Sequence, residues 1–241
     1  MLAPFSILWF VMLGVTAAAL VGVYFLLRKK QRKEKLNFMM VLSLFVLLYL
    51  LVYKAFLSQE PEADFIIWNE LPLHLCNISG ILAFFGTWKD RRTLQGMCFF
   101  ECTIGAVLAL LIPTEGFSDV PFFCARGLGY WGFHFLVLFL GLAFVVSGVF
   151  QPRFSDIPKA NGLGVLIALG AHGVNLLLRA TVYSEANYFY TFGLEGSAVA
   201  EKIFGLIPIP FLCVLPVSIL IMAVDCILIL PTRPWRKKPG K

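Results

Sequence analysis

Charge is what this chain has least of. Of its 241 residues only 14% are charged and 59% are hydrophobic, against roughly 25% and 45–50% in a soluble globular domain. That scarcity excludes a soluble fold. The six cysteines include no CxxC pair and no zinc-type spacing, and no nucleotide-binding motif stands out, so neither a metal nor a cofactor is expected. Internal repeats are also absent, which argues against the two-fold inverted repeats of many secondary transporters.

What the chain has instead is long apolar runs. A spanning helix needs about 20 mostly apolar residues. Such runs occur near 4–27, 37–57, 71–88, 97–113, 130–150, 162–183 and 204–230. The expectation is an all-α polytopic membrane protein, one domain over 1–241, folded as a seven-transmembrane-helix bundle.

Orientation follows from Lys and Arg, because positively charged short loops resist translocation. Arg28, Lys29, Lys30, Arg32, Lys33 and Lys35 crowd the first connection. Lys89, Arg91 and Arg92 occupy the third, Arg153 and Lys159 the fifth, and Arg233, Arg236, Lys237, Lys238 and Lys241 the tail. Of the 20 basic residues only Lys54, Arg126, Arg179 and Lys202 fall toward the other side, which carries Glu60, Glu62, Asp64, Glu70, Glu115, Asp119, Glu185, Glu195 and Glu201. The N-terminus is therefore expected outside and the C-terminus in the cytoplasm. The net charge of +6 belongs to the cytoplasmic flanks, where anionic lipid headgroups suffice as partners and nucleic acid is not needed. The first run has no basic residue before its apolar core and a basic cluster after it, the reverse of a secretory signal, and is read as a helix.

Polar residues inside spans are costly in hydrocarbon and usually face the bundle interior or a wet cavity. Span three opens at Glu70, and helical spacing puts Glu70, His74 and Asn77 on one face, with Cys76 directed elsewhere. His134 lies one turn into the fifth span. His172, Asn175 and Arg179 form a stripe at i, i+3 and i+7 on the sixth. All three histidines thus fall in the outer half or near mid-membrane, which suggests a shared outer cavity. The structural alternative is that such residues only hydrogen-bond across helices. Cys76, Cys124 and Cys213 belong to the outer half, where an oxidising compartment would allow two of them to pair. Glu101 and Asp225 lie toward the cytoplasmic ends of spans four and seven, where pairing, protonation or a proton relay are the open readings. Pro208, Pro210 and Pro216 are expected to distort the start of the last span.

The run Leu71-Pro72-Leu73-His74-Leu75-Cys76, the Leu111-Ile112-Pro113 exit of span four, His134, the Asn187-Tyr188 step and the Gly205-to-Pro210 segment resemble the YwaF family of bacterial integral membrane proteins. Its distant eukaryotic relative is transmembrane protein 164. The resemblance covers roughly residues 66–228, and the Leu-Pro-Leu-His-Leu-Cys run is its most specific part. It implies a bacterial inner-membrane location and, through the eukaryotic relative, a lipid acyltransferase. His74 and His134 match family positions, and Cys76 is the candidate nucleophile, although Leu73 stands where the eukaryotic motif has a cysteine before the histidine.

The catalytic reading is a membrane-embedded lipid acyltransferase or hydrolase. Cys76 attacks an acyl carbonyl, His134 or His74 handles the proton, and Arg126 or Arg179 holds a lipid phosphate. Glu70, Asn77, His172, Asn175, Asn187 and Tyr188 complete the expected substrate-binding set. The competing class is a non-catalytic seven-helix protein that binds, senses or transports a small molecule or lipid in the same outer cavity.

Overall fold

The computed structural model describes residues 3–60, 65–113, 120–193 and 198–235, and within them the secondary structure is entirely helical. Six helices are long and apolar enough to cross a membrane: α1 Ile7–Leu27, α2 Arg32–Leu57, α4 Arg92–Leu111, α5 Ala125–Val146, α6 Phe154–Thr181 and α7 Val214–Thr232. A shorter apolar helix, α3 Leu75–Trp88, stands between the second and third of these. With 14 residues it reaches only about 21 Å at 1.5 Å per residue. The chain is a multi-pass helical membrane protein.

Local chemistry sets the ends. Ser6 caps α1 by accepting from the Trp9 amide at 3.3 Å, and Glu34 caps α2 by accepting from the Gln31 amide at 2.9 Å. Expected span three is shortened because Pro72 disfavours helix at the residue before it. Leu71 is extended (φ −57°, ψ 138°), and the helix begins only after His74, its N-cap at φ −73° and ψ 152°. Expected span seven is not one helix. A short helix Ala198–Gly205 is followed by non-helical chain, with Phe211 at φ 65°, before α7 starts. Pro208 and Pro210 cannot donate the amide bonds a continuous helix would need.

The central pair is α4 and α5, mostly buried, whereas α1, α2, α6 and α7 present most of their surface outward. That outward surface is apolar, as with Ile7, Phe56, Leu166, Ile219 and Ile227, and is a surface for lipid tails. Since lipid tails are as apolar as the side chains, close packing and polar cross-links hold such a bundle together. Gly141 permits a close approach of the central pair: a Cβ there would collide with Thr103 Oγ1 and the Cys98 carbonyl of α4. Each central helix also contains a π-helical turn, Cys98–Cys102 in α4 and Leu128–Gly132 in α5. Such turns recur at functional sites because the extra residue re-aims side chains.

Arginine forks tie the loops at one end, here called the basic end. Arg32 grips Asp90 through two bonds of 2.9 and 2.6 Å and donates to the Val149 carbonyl at 3.1 Å. Arg92 likewise grips Asp156 at 2.8 and 2.5 Å and donates to the Gln151 carbonyl at 2.7 Å. Bidentate pairs of this kind fix geometry as well as adding energy. The opposite, acidic end holds the connections from α2 to α3, α4 to α5 and α6 to α7.

Candidate site at the acidic end of the bundle

The connection after α6 is built by the polar stripe of that helix. Asn175, wholly buried, reads the backbone of Tyr188 from both sides. Its Nδ2 donates to the Tyr188 carbonyl at 2.8 Å, its Oδ1 accepts from the Tyr188 amide at 2.8 Å, and Nδ2 also reaches Thr191 Oγ1 at 2.9 Å. His172 Nδ1 meets the same Thr191 hydroxyl at 2.9 Å. Arg179 donates to the Ala186 carbonyl at 3.1 Å and lies 4.3 Å over the Phe192 ring. Asn187 closes the turn, donating to the Gly193 carbonyl at 2.7 Å and accepting from the Phe192 amide at 3.0 Å. The stripe expected to bind substrate therefore holds the 182–193 connection in place. Phe189 and Tyr190 both have left-handed backbone (φ 56° and 52°), a conformation that costs side-chain-bearing residues about 1 kcal/mol or more each. It persists here because Asn175 and Thr191 over-determine the chain around it.

The strained turn delivers two aromatic rings to His74. The Tyr188 and Tyr190 rings lie 5.1 and 5.2 Å from the imidazole, and the Tyr188 hydroxyl donates to the Trp68 carbonyl at 2.5 Å. Burial, helped by the Glu70 charge, pushes the Tyr188 phenol up to about 12, so it remains a donor at any physiological pH. His74 makes no side-chain hydrogen bond at its N-cap position.

Glu70 does not share a helical face with His74, as helical spacing alone predicts. It ends a separate one-turn helix, Ile67–Glu70, and the Pro72 kink intervenes. Its carboxylate instead pairs with Lys54 of α2 and lies 3.7 Å from Arg126 at the start of α5. This cross-link draws α2, the α2–α3 connection and the start of α5 together near His74. Asn77, half-buried one turn into α3, has no side-chain hydrogen bond among the described residues.

Cys76 and His134 reach the same level by register. The Cys76 sulfur lies 3.6 Å from where a Cβ on Gly105 would stand, so it packs on that face of α4. Tyr130 Oη donates to the Ala109 carbonyl at 2.9 Å, fixing the antiparallel register of α4 and α5. His134, one turn below Tyr130, therefore falls level with Gly105, one turn below Ala109. Its Nδ1 faces the Tyr130 carbonyl at 2.6 Å. A carbonyl only accepts, so Nδ1 carries the proton and Nε2 keeps its lone pair. His74 and His134 are near enough for their charges to interact, and Tyr190 and Tyr53 stand in the same relation to Cys76. No hydrogen bond joins Cys76 to a histidine among the described residues.

A cavity of about 530 Å³ opens beside this cluster rather than over it. It lies between α2 and the start of α5, lined by Tyr49, Val52, Tyr53, Phe56, Phe123 and Leu128 among others, with Glu60 and Gln59 at its polar edge. It is not lined by α3 and α6, the helices that carry His74 and His172. Tyr53 borders both the cavity and the Cys76 neighbourhood. All six cysteines are free, so Cys76, Cys124 and Cys213 form no disulfide; the Cys213 thiol donates to the Thr191 carbonyl at 3.5 Å.

Sequence reasoning missed Lys54, Thr191, Tyr190 and Tyr130. Lys54 carried a signal, being the one lysine of α2 at the acidic end. Thr191, Tyr190 and Tyr130 carried none, because their parts depend on how loop 182–193 and the α4–α5 pair fold. No curated protein and no solved structure matches the chain. The model of the TMEM164 family matches residues 3–230, and with nearly the whole multi-pass bundle inside that match, the chain belongs to the TMEM164 family of membrane proteins.

Proposed function

We propose that this chain is a membrane-embedded acyltransferase or lipid hydrolase, acting on an acyl lipid from the acidic end of the bundle with Cys76 as nucleophile and His134 as base. What supports this reading is that the Cys76 sulfur packs against Gly105 of α4 and the Tyr130–Ala109 bond sets His134 at the same level, with Nε2 keeping its lone pair. The thiol proton passes to Nε2 as sulfur attacks the ester carbonyl carbon. Collapse of the tetrahedral adduct breaks the carbon–oxygen bond, and Nε2 returns the proton to the departing alcohol. The thioester left on Cys76 is then taken by a second alcohol, completing transfer, or by water, completing hydrolysis.

The remaining geometry supports a lipid as substrate. The cavity between α2 and α5 suits an acyl chain, with Tyr53 as the wall between chain and thiol. The Lys54–Glu70–Arg126 cluster supplies cationic groups at the height of a headgroup. His74, between Tyr188 and Tyr190, lies on the side of the cluster facing the strained turn. In this reading the acidic end faces outward and the basic end the cytoplasm, in a bacterial cytoplasmic membrane.

The test is labelling with an acyl-phosphonate and a thiol-reactive probe. Labelling of the wild type that disappears in Cys76→Ala and His134→Ala and survives in Cys98→Ala supports the reading. A folded wild type that neither probe labels would leave ligand binding, sensing or transport as the better account.

A further inference from the structure

About one turn along α4 from the level of Cys76, the bundle buries two carboxyl groups that play no part in the chemistry proposed above. Glu101 lies in the π-helical turn of α4 and Asp225 on α7, 6% and 0% exposed. Neither Asp225 oxygen has a hydrogen-bond partner, nor has Glu101 Oε1. The two groups are close enough for their charges to interact.

The surroundings supply no counter-charge. From α6, Asn161 approaches Glu101, and Glu101 also packs where a Cβ on Gly164 would stand. Asn161 is itself tied to α7, donating to the Ser218 carbonyl at 3.1 Å and accepting from the Ser218 hydroxyl at 2.7 Å. The thiols of Cys98 and Cys102 stand near Glu101 on α4, both buried. Cys226 beside Asp225 is exposed, as is Lys159 near the start of α6, and neither bonds a carboxyl group here. The titratable residues of α3 and α5 are Cys76, Arg126, Tyr130 and His134, all toward the acidic end. No Lys or Arg pairs with Glu101 or Asp225 among the described residues.

A carboxylate buried in a bundle without donor or cation is not tolerated in its ionised form. Asp225 has no partner and Glu101 only the neutral Asn161, so no residue described supplies the missing positive charge, and it comes from outside the protein. We infer that Glu101 and Asp225 form a monovalent-cation site between α4, α6 and α7, filled by protons at neutral pH. Each proton is taken from water and forms an O–H bond on a carboxylate oxygen, with no redox change. The donor set argues against a divalent metal, since no group of three or more His, Cys, Asp or Glu suited to one occurs among the described residues. The π turn presents Glu101 toward α6 and α7 instead of stacking it in the α4 ladder. Loss of the bound charge would place two like charges across the contact of α7 with α4, so occupancy bears on how those helices pack.

The test is infrared spectroscopy of the full chain in lipid nanodiscs at neutral pH, in sodium-free choline buffer and again with sodium added. The expected result is a carbonyl band of protonated carboxylic acid that shifts in heavy water, loses amplitude in Asp225→Asn and in Glu101→Gln, and vanishes in the double variant. A band unmoved by sodium assigns protons as the occupant. A band that sodium abolishes keeps the site but makes sodium a competing occupant. Absence of the band from folded wild type in choline, or its persistence in the double variant, would overturn the inference. The wild-type spectrum alone decides the point if a variant fails to fold. Cys76→Ala is expected to keep the band, so this result stands apart from the fate of the acyl-transfer reading.

Discussion

At the scale of single residues, the acidic end depends on a few side chains that read backbone. Asn175 satisfies both polar groups of Tyr188 and shares the Thr191 hydroxyl with His172, so Asn175→Ala leaves the buried Tyr188 amide and carbonyl unpaired, a loss of about 1–3 kcal/mol. The expected outcome is a lower melting temperature in detergent and faster proteolysis within 182–193, with Asn175→Asp intermediate because it still accepts from the Tyr188 amide. At the basic end, Arg32 holds the Asp90 carboxyl below the usual carboxylate range, helped by Gln95 against partial burial. A depressed carboxylate stabilises the fold fully above the unfolded value of about 3.9 and loses that contribution as pH falls through its folded value. Melting of the wild type should therefore drop more steeply below about pH 4 than that of Asp90→Asn, by the roughly 0.2–1 kcal/mol of an exposed pair; parallel curves would count against this account of Asp90. The sequence made the polar stripe on α6 visible, because i, i+3 and i+7 spacing is a local property. It did not reveal that the stripe faces its own following loop, since that depends on two left-handed residues, Phe189 and Tyr190, which no composition signal marks.

At the scale of elements, hydropathy located the helices because burial in lipid demands long apolar runs whatever the tertiary packing. It misjudged two of them where proline governs. Pro72 shortened α3 and placed His74 at a helix start, which separated Glu70 from it. Pro208 and Pro210 kept the start of the expected run 204–230 out of the spanning helix, and α7 begins only at Val214. The π turns were invisible for another reason: an inserted residue leaves the apolar pattern nearly unchanged. Packing of the central pair is the most sensitive contact between elements. Gly141→Val drives a side chain into the α4 backbone and Thr103, with an expected loss of at least about 1–3 kcal/mol and poor recovery of folded protein. Gly170→Val, which meets nothing within 4 Å, is the matched control and is expected to leave melting unchanged.

At the scale of the whole molecule, the separation of a basic from an acidic end gives the bundle a direction and the proposed chemistry a side of the membrane. Reporter fusions are expected to place residue 60 outside and residues 30 and 235 in the cytoplasm; one contrary sign would invert that assignment. The candidate site was partly legible, since His74, Cys76 and His134 stood out as rare polar residues in apolar runs. The cross-links that gather the acidic end, Lys54 to Glu70 and Arg126, join residues far apart in sequence and required the fold. The most direct measurement of the central claim is paired acyl-phosphonate and thiol-reactive labelling of wild type, Cys76→Ala and His134→Ala. Loss of labelling in both variants, with wild-type labelling intact and all three proteins folded, is the predicted result. Labelling that persists without Cys76, or that never occurs in folded wild type, would contradict it.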